Sequence, residues 1–177
     1  MLSILAGILS LVQHITTLQQ TPERYLPARC PHCGKAGVWR HGDYLRKADR
    51  LQDGELNPIL IPRFFCRFCL KTCSVLPECI PPHRWYLWEI QQAVFLLCLA
   101  GKSFYAVAQA SMPSQQTIKR WLGRFQEKFR EHRDALCHWF VKLGHTLDFV
   151  DFWQACLNKI SLGSAMRLCH VAGVIIP

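Results

Sequence analysis

Two cysteine pairs of the form Cys-x-x-Cys are the residues of this sequence whose type and spacing best predict chemistry. The first pair lies in CPHCG and the second in CRFCL, with thirty-two residues between the pairs. Two residues between cysteines let one tight turn direct both thiolates at the same ion, so each pair supplies half of a tetrahedral site. The sequence therefore predicts one structural zinc ion with four ligands: Cys30, Cys33, Cys66 and Cys69.

A redox dithiol and an unliganded cluster are the other interpretations of these cysteines. A thioredoxin-like dithiol lies in a βαβ setting, whereas both pairs here lie in turn-rich sequence beside β-favouring runs. A secreted disulfide scaffold needs an export signal, and the apolar N-terminal segment has no basic n-region. We therefore expect a cytoplasmic protein, in which paired cysteines bind metal more often than they form bridges.

Residues beside the two pairs compete with these ligands. Cys73 stands where a small ribbon needs an apolar residue, which predicts a buried thiol, and His32 is expected to point outward from its turn. Whether Cys73 or Cys79 replaces a ligand stays open. Gly34 follows the first pair and suits a left-handed turn, whereas Leu70 follows the second and predicts local strain.

The elements that must position the cysteines are predicted to be strands. The β-favouring runs VWRHGDYLRKADR and NPILIPRFF flank QDGE, whose Asp-Gly favours a tight reversal. These runs predict a zinc β-ribbon within residues 21–80. Three prolines from Pro77 to Pro82 predict a rigid connector behind it.

An amphipathic helix is predicted ahead of the ribbon, over residues 1–20. Its apolar residues have helical spacing: Leu5, Ile8, Leu9, Val12 and Ile15. The apolar run is too short to span a bilayer, and no membrane partner is expected.

Helical patterns dominate after the connector. A first helix from about Trp85 is expected to end at Gly101, and Ser103 and Ser114 are predicted N-caps of the next two helices. Three helices with a short middle one predict a helix-turn-helix domain over residues 81–130. A helical C-terminal extension over residues 131–177 completes a predicted α+β, mainly α fold.

Positive charge is concentrated in one part of the chain. The net charge is +9, residues 131–177 contain four bases and four acids, and residues 1–20 contain neither, so the excess lies within 21–130. A localised basic stretch predicts a surface that binds a polyanion. Arg46, Lys47, Arg50 and Arg84 are candidates for contacts with a DNA backbone, and a merely solvated basic face is the alternative.

The helix that begins after Ser114 is the predicted recognition helix. Ile118, Trp121, Leu122 and Phe125 have the spacing of its buried face. Glutamine can pair with adenine and arginine with guanine, which gives the opposite face the chemistry to read base edges. The predicted DNA-contacting residues are Ser114, Gln115, Gln116, Lys119, Arg120 and Arg124.

No catalytic constellation accompanies these features, and we expect a protein that is not an enzyme. Acidic-triad enzymes of DNA strand transfer hold two metal ions on three carboxylates of a large fold, and 47 residues after Arg130 are too few for it. Asp148 and Asp151 are a close acid pair, but their aromatic neighbours suit a partly buried helix.

The quoted cysteine motifs, together with GKSFYAVAQASMPSQQTIKRWLGRF, resemble the zinc-ribbon plus helix-turn-helix region of bacterial insertion-sequence transposases and their small accessory proteins. The resemblance covers about residues 27–130. It implies zinc on the four cysteines and sequence-specific recognition of element ends in double-stranded DNA. Candidate partners are a separately encoded catalytic transposase subunit and a second copy of the chain. A stand-alone transcriptional regulator, a thiol redox enzyme and a protein-interaction adaptor are the alternatives.

Overall fold

The computed structural model describes residues 2–48, 57–82, 86–174 and 176, and the chain divides between Leu87 and Trp88 into two compact units. Strands lie in the first unit and more residues are helical than extended, which confirms the α+β class. The division differs from the predicted boundaries at residues 80 and 130.

The first unit is a four-stranded sheet with one helix. Its elements are β1 (Leu2–Leu5), α1 (Leu11–Gln20), a 3₁₀ turn (Pro22–Tyr25), β2 (Val38–Arg46), β3 (Ile59–Cys66) and β4 (Thr72–Pro77). The strand order is β1-β4-β3-β2, with β1 parallel to β4 and the other pairs antiparallel. The predicted ribbon strands correspond to β2 and β3, and the QDGE reversal lies outside the described residues.

The N-terminal segment differs from the predicted continuous helix. Residues Leu2–Leu5 form β1, Gly7 has a φ of 78°, and the helix begins only at Leu11 after the N-cap Ser10. Pairing with β4 satisfies backbone groups at what would otherwise be a sheet edge. That tertiary pairing outweighs a helical spacing of apolar residues.

Two small clusters of buried residues pack on opposite faces of this sheet, because side chains alternate along a strand. Leu11 of α1 covers one end of one face in a cluster with Ala48, Ile59, Ile61, Leu76 and Ile80. Tyr25 covers the opposite face in a cluster with Phe64, Cys73 and Val75. Ile80 is thus a core residue, and the proline-rich segment belongs to the first unit instead of linking two domains.

A buried histidine ties three elements of the first unit together. The Nε2 atom of His14 donates to the Leu60 carbonyl oxygen at 2.8 Å, and its Nδ1 atom lies 2.6 Å from the Tyr25 hydroxyl. Because a carbonyl only accepts, Nε2 carries a proton, and in the neutral ring Nδ1 accepts from the Tyr25 hydroxyl. Burial lowers the pKa of His14 below its ordinary value.

The second unit is helical: α2 (Trp88–Leu99), α3 (Phe104–Ala110), α4 (Gln115–Glu127), α5 (Phe129–Trp139), a 3₁₀ turn (Val141–His145), α6 (Phe149–Leu157) and α7 (Leu162–Val171). The helix α2 ends as predicted, with Gly101 at a φ of 76°. The side chains of Ser103 and Ser114 accept from backbone N–H groups at the starts of α3 and α4, which confirms both N-caps.

A cluster of fifteen buried residues connects α2 with α4, α5, α6 and α7. Phe95 of α2 stacks on Phe125 of α4 at 4.5 Å between ring centroids, and Trp153 of α6 meets both rings edge-on. Met166 and Cys169 of α7 are buried in the same cluster. The predicted helical C-terminal extension, residues 131–177, therefore packs into this cluster.

No helix among the described residues has the length and apolar character needed to cross a membrane.

Candidate metal centre and candidate DNA-binding helix

The two cysteine pairs form turns with matching backbone hydrogen bonds. In the first, Cys30 N donates to Lys35 O at 2.9 Å and Gly34 N donates to Cys30 O at 2.8 Å. In the second, Cys66 N donates to Lys71 O at 3.1 Å and Leu70 N donates to Cys66 O at 2.9 Å. The same local fold therefore presents each pair of thiols.

The residue after each pair adopts a left-handed backbone conformation. Gly34 has a φ of 71° and Leu70 a φ of 56°, which confirms the predicted strain at Leu70. The side chain of Leu70 is 72% exposed, so burial contributes little to offset that strain.

The two turns bring all four sulfur atoms together. The four Sγ atoms lie within 4.8 Å of one another, with 3.6 Å between Cys30 and Cys69 and 3.7 Å between Cys33 and Cys66. A tetrahedron with metal–sulfur bonds of about 2.3 Å has sulfur atoms about 3.8 Å apart. The four cysteines thus have an arrangement that could hold one metal ion.

Strand geometry explains how distant pairs converge. Cys66 ends β3 and pairs with Val38 at the start of β2, so the segment after the first turn runs beside the second turn. Gly37 completes this junction, because its carbonyl accepts from Arg67 N at 3.3 Å. A Cβ atom at Gly37 would lie 2.9 Å from the Arg67 side chain, and its φ of 107° also favours glycine.

The electrostatics of the four thiols favour a cation. Backbone N–H groups, that of Cys69 foremost, lower the pKa of Cys66 to about 6. Burial and the neighbouring cysteines raise the pKa of Cys69 to about 11. Four thiolates packed this closely repel one another, and a bound divalent ion removes that repulsion.

Other candidate ligands lie outside the cluster. Cys73 is buried against Tyr25 and Phe64, as predicted, and burial raises the pKa of its thiol. Cys79 packs against the other small cluster of the first unit. His32 does not simply point outward, because its Nε2 atom donates to the Thr72 carbonyl oxygen at 3.2 Å and so links the first turn to β4.

The predicted DNA-contacting residues lie on α4, which follows α3 after a four-residue connection. Ile118, Trp121 and Phe125 are buried as predicted, and Leu122 is partly buried. Gln116, Lys119 and Arg120 are exposed together on the opposite side of the helix.

The remaining members of the predicted set have other contacts. The hydroxyl of Ser114 caps the helix, and Gln115 is half-buried. Arg124 is only partly exposed, and its Nη1 atom is buried without a hydrogen-bond partner among the described residues, in contrast to the outward orientation predicted for it. Lys119 places its Nζ atom 5.7 Å from the Phe104 ring centroid at the start of α3.

Only some of the basic residues of the first unit that were predicted to contact the DNA backbone are free to do so. The guanidinium of Arg46 donates to the Pro81 carbonyl oxygen, and burial lowers its pKa. Lys47 is exposed, whereas Arg50 and Arg84 lie outside the described residues.

The acid pair of the second unit has a structural role. Both Val150 N and Asp151 N donate to the Asp148 carboxylate, which makes Asp148 the N-cap of α6. Within the described part of the chain, the four cysteines are the one group of metal-ligating side chains close enough to share an ion.

An exposed aromatic pair on the ribbon is not evident from the sequence patterns above. Trp39 and Phe65 are cross-strand partners in β2 and β3, with 5.2 Å between their ring centroids. The alternation of Trp39 and His41 along a predicted strand is the signal that points to it.

Comparisons with known proteins give one match. No curated protein and no solved structure matches this chain. A family model described as a domain of unknown function matches residues 30–121, which include the four clustered cysteines and the first half of α4. Because the match covers more than half of the 177 residues, the chain belongs to this family, DUF6431.

Proposed function

We propose that this protein is a zinc-containing, sequence-specific binder of double-stranded DNA that belongs to a mobile element and recognises element ends. The observation that carries the proposal is the joint exposure of Gln116, Lys119 and Arg120 at the start of a helix whose opposite face is buried. The helix follows a short helix after a tight connection, and this is the arrangement that places side chains in the major groove.

Zinc is the proposed metal because all four ligands are thiolates. Thiolates are soft ligands, and a tetrahedral set of four selects zinc or iron–sulfur chemistry over magnesium and calcium. When bound, zinc supplies folding free energy and no redox chemistry. The cysteine turns lie at strand ends, whereas a thiol oxidoreductase places its pair at a helix start, so the redox alternative is disfavoured.

Chemistry at the DNA is proposed to come from elsewhere. The side chains of Gln116 and Arg120 are suited to base edges, and Lys119 to phosphate, so binding is the activity that they support. A separately encoded catalytic transposase subunit is the proposed partner, with self-association as a further possibility. A stand-alone transcriptional regulator would use the same face, and inverted repeats flanking the gene would distinguish the mobile-element protein from it.

Selection from a pool of random duplexes, with zinc-loaded full-length protein, tests the proposal. Wild-type protein is expected to enrich a defined sequence, and Arg120→Ala and Gln116→Ala are expected to relax single positions of it, each by about 1–3 kcal/mol of discrimination. Lys119→Ala should weaken all duplexes alike and reduce the salt dependence of binding by about one phosphate contact.

Lys142→Ala is the matched control, because Lys142 is an exposed lysine of the same unit outside α4. It should leave both affinity and preference unchanged. Wild-type protein that enriches no sequence, or α4 variants that retain the full wild-type preference, would refute the proposed recognition helix.

A further inference from the structure

An exposed group of aromatic side chains lies on one face of the ribbon near the cysteine centre. Trp39 is 45% exposed and packs on its cross-strand partner Phe65, whose ring centroid is also 5.6 Å from that of His41. Arg63 lies two residues before Phe65 and therefore on the same face. We name the surface formed by Trp39, His41, Arg63 and Phe65 the ribbon face.

The alternation of β3 explains why this surface is open. Ile59 and Ile61 share the face of Arg63 and Phe65, and the cluster around Leu11 buries them. That cluster does not reach Arg63, which is exposed, or Phe65, which is partly exposed. The opposite side of the same strand is covered, since Phe64 packs against Tyr25.

Two exposed arginines lie on or next to the ribbon face: Arg63 of β3 and Arg67 of the turn that follows β3. The described residues from Cys30 to Ala48 and from Asn57 to Glu78 contain seven basic residues and two acids, Asp43 and Glu78. The Asp43 carboxylate already accepts from Arg40 at 2.9 Å. The Phe68 ring beside the second cysteine turn is 49% exposed, with Lys35 Nζ 5.2 Å and Arg67 Cζ 4.8 Å from its centroid.

An aromatic pair across two strands stabilises a hairpin modestly. Here nearly half of the Trp39 surface stays in water beside an excess of cations. Flat rings that bases can stack on, next to charges that hold phosphates, form the surface that binds single strands with little sequence preference. A duplex keeps its bases stacked inside and cannot use the rings in this way.

We propose that the ribbon face binds unpaired nucleotides of single-stranded DNA. Bases stack on Trp39 and Phe65, and Arg63 and Arg67 contact the phosphates. The choice of DNA over RNA rests on the proposed function. The existence of the stacking surface rests only on the exposed rings of the first unit. The protein would then have two separate nucleic-acid surfaces, one for duplex on α4 and one for unpaired strand on the ribbon.

The test uses fluorescence anisotropy to measure binding of zinc-loaded full-length protein to two fluorescein-labelled probes. One is an oligothymidylate of about 15 nucleotides, close to the site size of one single-strand-binding module. The other is a duplex of equal length. Trp39→Ala is expected to weaken binding of the single strand by about 5-fold to 100-fold, the range for loss of one stacking ring. Duplex affinity should change by less than about 2-fold, because paired bases do not stack on the ring. Trp39→Phe keeps a ring and should retain most of the single-strand affinity.

Leu45→Ala is the matched control, because Leu45 is 66% exposed on the same strand and pairs with Leu60, away from the ribbon face. It should leave both affinities unchanged, and zinc content of each variant verifies that the ribbon is folded. Equal weakening of single strand and duplex by Trp39→Ala, or no weakening, would overturn the proposal. An oligouridylate bound about 10-fold tighter than an oligodeoxyuridylate of equal length would overturn the assignment to DNA, since these two strands differ only in the 2′-hydroxyl.

Failure of the proposed function gives a different pattern. If α4 binds no duplex, Lys119→Ala and Arg120→Ala leave duplex affinity unchanged while Trp39→Ala still weakens binding of the single strand. If the ribbon face binds nothing, the α4 variants change duplex binding and the Trp39 variants change neither affinity.

Discussion

The two units of this protein differ in how their buried residues are distributed. In the first unit the buried apolar residues include two separate clusters, with six and four buried members among the described residues, on opposite faces of a small sheet. In the second unit fifteen buried residues form one large cluster around Phe95, Phe125 and Trp153, and Val94, Val107, Ile118 and Trp121 are buried outside it. Small divided cores supply little stability by themselves, so we expect the ribbon to depend on a bound metal and the helical unit to fold without one.

Metal removal should separate the two units most strongly. We expect a zinc chelator to abolish amide protection in β2, β3 and β4 while α2, α4 and α6 stay protected, because structural zinc sites contribute on the order of 10 kcal/mol. Hydrogen exchange with mass spectrometry of the full chain measures both regions at once. Cys66→Ser should have the same effect as the chelator.

Cys98→Ser is the control for metal removal, since Cys98 lies in α2 and outside the sulfur cluster. It should retain about one zinc per chain, measured by elemental analysis. Persistence of protection in β3 after the metal has left would show that the ribbon core suffices for folding without metal.

A large cavity in the core of the helical unit should destabilise that unit and leave the zinc-bound ribbon intact. Trp153 is fully buried against Phe95 and Phe125, and Trp153→Ala should cost about 3–5 kcal/mol. Chemical denaturation followed by far-ultraviolet circular dichroism measures the loss of unfolding free energy. Zinc content should stay the same as in the wild-type protein. Trp139→Ala removes a ring that is 53% exposed and should change stability by less than about 0.5 kcal/mol.

The two cysteine turns allow a smaller and paired test within the first unit. Leu70→Gly should stabilise the zinc-loaded ribbon by up to about 1 kcal/mol, because glycine relieves the left-handed conformation at a φ of 56°. Gly34→Ala should destabilise it by about 1–2 kcal/mol for the same reason. A Cβ at Gly34 meets no atom within 4 Å, so the loss would measure backbone strain alone.

Urea unfolding at saturating zinc measures both changes. Opposite signs for the two substitutions are expected, and a loss of stability in Leu70→Gly would show that the leucine side chain makes a contribution that outweighs its strain.

The smallest expected effect concerns pH and His14. Its pKa is lowered by burial, so the unfolded chain binds a proton more readily and the neutral form favours folding. The contribution of His14 to stability is complete above about pH 6.5 and is lost as the pH falls from there toward the folded pKa. His14→Gln can keep both hydrogen bonds without titrating.

Stability of the first unit between about pH 7.5 and about pH 5.5 should therefore fall less in His14→Gln than in wild-type protein. The zinc ligands titrate equally in both proteins, so the difference isolates His14. Identical pH profiles would show that burial does not control its charge.

The composition of the cysteine cluster follows directly from the spacing of its residues in the chain. Two tight turns fix the direction of two thiols each, and this local geometry is encoded in four residues at a time. The N-caps at Ser103 and Ser114 and the stop at Gly101 are predictable for the same reason, since a cap acts on the next turn of its own chain.

The features that sequence patterns do not predict depend on contacts between distant segments. A helical spacing of apolar residues at the N-terminus is outweighed by strand pairing with β4. Residues 131–177 resemble an extension because their charge balance differs from that of the preceding helices, but their apolar faces complete the core around Trp153. Charge describes the solvent side of a helix and leaves its buried partners undetermined.

By itself, the sequence determined which residues can hold a metal, where the helices of the second unit are capped, and where positive charge accumulates, because these properties follow from residue type and short-range geometry. Only the tertiary structure decided that Arg124 lies partly buried, that Arg46 donates a hydrogen bond to a backbone carbonyl, and that Trp39 is exposed near the cysteine cluster. Exposure depends on which side of an element its neighbours cover, and long-range packing sets that side.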